Sequence, residues 1–172
     1  MQKKLAFAFR SGLSWGVVLA LCELGFGAVI FVLLSALGSP VKMIELDFLT
    51  PFVIVYATFV FVLIAVYFAS GMMTAKWLAM IPMKSRDIAA MGALSGAVAE
   101  ALRSLVAVPT NLFISYEFPI DPMNANAVVS ALVNAAIRLV VMLPAFVVIA
   151  AIIAGASAYM FSLIFFRAEA ST

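Results

Sequence analysis

Four apolar stretches run through this chain, from about Ser11 to Leu37, Pro51 to Ile81, Ile88 to Tyr116 and Ala127 to Phe166. A helix needs about 20 residues to cross about 30 Å of hydrocarbon, and each stretch is longer than that. In lipid every backbone N–H and C=O must be satisfied within the structure that spans it, which leaves helices or a closed barrel, and the two-residue alternation of barrel strands is absent. The expectation is an all-α integral membrane protein: a four-transmembrane-helix bundle forming a single domain over residues 1–172.

Composition supports lipid as the solvent. Hydrophobic residues make up 67% of the chain and charged residues 10%, with a mean hydropathy of +1.24. A soluble domain of this size leaves about 30% of its unfolded surface in water, so so much Val, Leu, Ile, Phe and Ala must face something else. A formal net charge of +2 is too small to indicate a nucleic-acid partner.

The residues that are missing narrow the chemistry. There is no histidine, which removes imidazole metal ligation, bis-imidazole haem binding and histidine general-base catalysis. Cys22 is the single cysteine and reads as a small buried hydrophobe. With no acidic metal cluster and no glycine-rich phosphate loop either, neither an enzyme nor a cofactor or bound metal is expected.

Basic residues set the expected orientation. With the N-terminus in the cytoplasm, that side collects Lys3, Lys4, Arg10, Lys76, Lys84, Arg86 and Arg167, against Lys42 alone on the other. Both termini are then cytoplasmic and the cell membrane is the expected location. Trp15, Trp77, Tyr159, Phe165 and Phe166 fall near the inner ends and Phe48, Phe52 and Tyr116 near the outer ones, as interfacial belts. Lys76, Lys84 and Arg86 form a basic hairpin suited to lipid headgroups. Thr50 and Pro51 read as the N-cap and first turn of the second span.

The fourth stretch is too long to run straight, because forty helical residues would measure about 60 Å. Pro144 is the expected kink or break, and residues 144–166 would make the main crossing. Before it, Ser130, Asn134 and Arg138 recur at intervals of four as one polar stripe on an amphipathic segment. Small residues mark the packing faces: Gly12 and Gly16 in the first span, Gly92 and Gly96 in the third, and Ala150, Ala154 and Ala158 in the fourth.

The informative residues are charges inside the apolar spans. Glu23 lies thirteen residues after Arg10 and Glu100 thirteen after Asp87. Each is therefore about 20 Å along its helix from the boundary. An ionised group at such depth costs about 2.5–3.5 kcal/mol even on the lenient insertion scale. Glu23, Glu100, Arg103 and Arg138 are expected to form a charge-compensated network summing to zero, with Ser95, Ser104, Thr110, Asn111 and Asn134 as candidate hydrogen-bond partners. The same cluster is also a candidate ion or substrate site. The leading expectation is a non-catalytic subunit that assembles with copies of itself or with other membrane subunits. The alternative is a small transporter or channel that uses Glu23 and Glu100 as coupling or selectivity groups.

Overall fold

The computed structural model describes residues 2–37, 46–79, 81, 83–113, 129, 132–133 and 135–169. The described residues are helical except for Ala79, Ile81, Met83 and Lys84 between two helices, and contain no strand. Helix α1 covers Gln2–Leu37, α2 Leu46–Leu78, α3 Ser85–Phe113 and α4 Leu143–Glu169, with a π-helical turn at Arg138–Met142 leading directly into α4. Four helical segments are long and apolar enough to cross a membrane: Lys3–Leu33, Thr50–Leu78, Ser85–Val108 and Ala135–Ile164.

The helices outrun the apolar stretches that announce them. Helix α1 continues through Lys3, Lys4 and Arg10, which hydropathy excludes but helix propensity favours. Helix α2 starts at Leu46, so Pro51 lies inside it and Thr50 is not its N-cap. As the sixth residue of α2, Pro51 lies beyond the first four donors that have no intrahelical partner, so it offers no N–H to the Asp47 carbonyl four residues back, and the helix continues through this loss.

The expected irregularity at Pro144 takes the form of the π turn just before it. Leu143 N–H donates to the carbonyl of Arg138, five residues back. Pro144 has no N–H to donate to the preceding turn, and a π turn accommodates such a local mismatch without ending the helix. Ser130 and Asn134 of the polar stripe lie outside the described residues, and Arg138 is exposed on the π turn.

Helix α3 is the centre of the bundle and packs on each of the other three, whereas α1 and α4 share no contact among the described residues. Its membrane-length segment has the lowest mean hydropathy, 1.4 against 2.4, 2.6 and 2.8, yet the largest buried share, 44% against 22%, 11% and 17%. The polar helix is inside and the apolar ones outside, the inverse of a water-soluble bundle.

Close approach to α3 depends on small residues on two of its sides. A Cβ on Gly12 would stand 2.6 Å from the Ser95 carbonyl oxygen, and one on Gly16 3.0 Å from Leu102 Cβ. On the other side, a Cβ on Gly96 would stand 2.5 Å from the Ala150 carbonyl oxygen and one on Gly92 2.8 Å from that of Ala154, so this glycine pair seats on the alanine strip of α4. Gly71 of α2 meets α4 still more closely: an added Cβ would overlap the Ala154 carbonyl oxygen and Ser157 Oγ. Between α1 and α2, Phe26 stacks on Phe59 with centroids 4.2 Å apart, and Phe7 meets Trp77 edge-on at 6.3 Å.

The α2–α3 connection is short, and Lys84 accepts hydrogen bonds from the Asp87 and Ile88 amides as α3 begins. Lys3, Lys76, Lys84 and Arg86 lie at this end of the bundle with exposed or partly exposed side chains.

Candidate functional site: the buried polar core

Helices α1, α2 and α3 bring Glu23, Tyr67, Glu100, Arg103 and Ser104 together, all buried, with Glu100 0% exposed. Arg103 is the hub. Its Nε donates to Glu100 Oε2 at 2.7 Å and its Nη2 to Glu100 Oε1 at 2.6 Å, a bidentate grip within one helix. Its Nη1 turns outward from α3 and donates to Glu23 Oε2 on α1 at 2.5 Å. A guanidinium can do this because its donors form a rigid planar fork; an ammonium has no such geometry.

Two hydroxyls complete Glu100. The Tyr67 phenol of α2 donates to Oε2, and Ser104 Oγ donates to Oε1 at 2.9 Å. Each oxygen thus receives two donors, which fills the roughly four lone-pair sites of a carboxylate. Phe146 of α4 lies against the guanidinium, with its ring centroid 5.8 Å from Cζ. At that distance an aromatic face adds a favourable cation–π contact.

A second polar layer lies one to two turns away. Ser70 and Ser95 hydroxyls are 2.7 Å apart, joining α2 to α3, and Thr74 Oγ1 donates to the Ser70 carbonyl at 2.8 Å and lies 3.2 Å from the Ser11 hydroxyl. Ser157 of α4 donates to the Phe68 carbonyl of α2 at 2.9 Å. Every fully buried side-chain nitrogen and oxygen among the described residues has a partner.

Of the four charged residues singled out in the sequence, Glu23, Glu100 and Arg103 meet and Arg138 does not join them. Arg138 sits exposed on the π turn, so the cluster holds two carboxylates and one guanidinium and does not sum to zero when both acids are ionised. Ser104 contributes as anticipated in type and place, whereas Ser95 belongs to the second layer. The side chains of Thr110 and Asn111, and Asn134 altogether, lie outside the described residues.

Tyr67 is the member that sequence reasoning missed. It reads there as one more aromatic in an apolar run, yet a phenol at mid-span carries a hydroxyl that needs a partner when buried, and that was the available signal. Cys22 is free and partly exposed, and so is not the buried hydrophobe the sequence suggested. Lys76, Lys84 and Arg86 are exposed at the end of the bundle and do not join this core. No group of three or more potential metal-binding side chains occurs among the described residues. A groove of about 240 Å³ lined by Ser11, Ser14, Trp15, Val18, Met73 and Trp77 shares no residue with the carboxylate cluster.

Comparison with known proteins finds no match: no family model, no curated protein and no solved structure corresponds to this chain.

Proposed function

We propose that the protein crosses the cell membrane four times, with both chain ends cytoplasmic, and serves as a non-catalytic subunit of a membrane assembly, made of its own copies or of other membrane proteins. The observation that carries this reading is the saturation of Glu100. Four donors from two helices occupy both its oxygens, which suits a clasp that holds α2 and α3 together better than a group that exchanges ligand. The outer faces of α1, α2 and α4 expose Val17, Leu21, Ile54, Phe61, Val148 and Ile152, surface that lipid or neighbouring subunits would cover. Lys76, Lys84 and Arg86 then lie at the cytoplasmic interface and contact lipid phosphates.

The test is purification from native membranes in mild detergent followed by native mass spectrometry. A complex of fixed stoichiometry, either homo-oligomeric or with defined membrane partners, supports the reading. A monodisperse monomer overturns it.

One observation favours a second reading, a small transporter or channel. Among the described residues the cluster contains one carboxylate more than it has guanidiniums, and Glu23 receives a single donor. A carboxylate left with spare acceptor capacity can take up and release a cation. Proton or alkali-cation flux into proteoliposomes, abolished by Glu23→Gln, is the result this reading requires.

A further inference from the structure

The polar core is unbalanced, and its hydrogen bonds identify where the imbalance resides. Glu23 and Glu100 face one guanidinium, that of Arg103. With both acids ionised, the buried group has two negative charges and one positive, a net charge of −1. An uncompensated buried charge is strongly disfavoured, so one further positive charge belongs in the cluster.

Glu100 has no position for it. Tyr67 and Arg103 Nε donate to Oε2, and Ser104 and Arg103 Nη2 to Oε1, so a proton on either oxygen would displace a donor already in place. Glu23 is different. Its Oε2 accepts from Arg103 Nη1, while its Oε1 has no hydrogen-bond partner among the described residues.

Glu23 is only 5% exposed, yet no fully buried side-chain oxygen among the described residues lacks a partner. Oε1 is therefore not fully enclosed by the described residues, which leaves it free to take one small ligand. Among the described residues, the ionisable groups of the cluster that face it are Tyr67 from α2 and Glu100 and Arg103 from α3, while α4 brings the Phe146 ring to the guanidinium.

We propose that Glu23 Oε1 binds one compensating monovalent cation, either a proton or an alkali ion. The site follows from burial and charge balance, so it exists whether the chain acts as a subunit or as a transporter.

The test uses the full chain in detergent micelles, with two arms. In the first, infrared difference spectra are recorded at neutral pH on protein carrying isotope-labelled glutamate, with choline chloride as the only salt. A proton on Glu23 gives an isotope-sensitive carboxylic-acid carbonyl band that disappears in Glu23→Gln. In the second, the thermal midpoint is titrated with sodium or potassium chloride against choline chloride at equal ionic strength. An alkali ion gives a saturable upward shift that Glu23→Gln abolishes. Glutamine is neutral and keeps a carbonyl oxygen for Arg103 Nη1, so this variant is expected to fold with at least wild-type thermal stability in choline chloride. Either signal, lost in the variant, supports the site and identifies its occupant. Wild-type protein that lacks both signals overturns the proposal without recourse to any variant, and so does a signal that persists unchanged in Glu23→Gln.

Discussion

Arg103 holds Glu100 through two parallel hydrogen bonds, at 2.7 and 2.6 Å, although the residues are only three apart on one helix. This local grip uses one edge of the guanidinium and leaves Nη1 to reach Glu23 on α1. A contact within α3 therefore prepares a contact between helices.

Glu100→Gln should strip Arg103 of its main counter-charge. Breaking a buried pair by removing one partner costs about 3–5 kcal/mol, whereas replacing both partners with neutral groups is often tolerated. In a denaturation cycle in detergent, Glu100→Gln is expected to lower stability by up to about that amount, since Glu23 stays on Arg103, and the triple replacement Glu23→Gln, Glu100→Gln and Arg103→Met, which leaves no member charged, to recover part of it. Additive losses would rule out the interaction.

Tyr67→Phe removes one of four donors to Glu100 and leaves the carboxylate paired. Hydrogen bonds between helices in a membrane protein are worth about 0.6 kcal/mol on average and at most about 1.7. The variant should therefore lose far less than Glu100→Gln in the same unfolding assay. An equal loss would make the phenol, not the ion pair, the dominant member of the core.

Two glycines should respond in opposite ways to alanine. At Gly71 the added Cβ would overlap backbone and side-chain atoms of α4, so Gly71→Ala should destabilise by about 1–3 kcal/mol or more, since overpacking forces the helices apart. Gly25 has open space around its Cβ position, and Gly25→Ala should be neutral or stabilising by up to about 1 kcal/mol through helix propensity. Thermal midpoints of the two variants check the pair, and similar behaviour of both would contradict the packing of α2 on α4.

The proposed topology predicts sided labelling. In a Cys22→Ser background, a cysteine at position 84 should react with membrane-impermeant reagents only from the cytoplasmic side, and one at position 121 only from outside. Reversed or two-sided reaction at both positions would refute four crossings with cytoplasmic ends.

Hydropathy alone determined that the described chain is helical and that four helices are membrane-length, because span length depends on a sum of side-chain transfer energies along the chain. The presence of Glu23, Glu100 and Arg103 inside those spans was equally legible, as was the pairing of Glu100 with Arg103, since residues three apart share a helix face. Which faces meet was not, because it depends on how each helix is rotated about its axis. Rotation is set by close packing at Gly12, Gly71, Gly92 and Gly96, and linear order does not encode it. Only the tertiary structure decided that Tyr67, one aromatic among many, completes Glu100, and that α3, the least apolar membrane-length helix, is the centre of the bundle. It also separated Arg138 from the cluster: the π turn before Pro144 leaves that side chain exposed, and with it goes the charge balance that residue counting had implied.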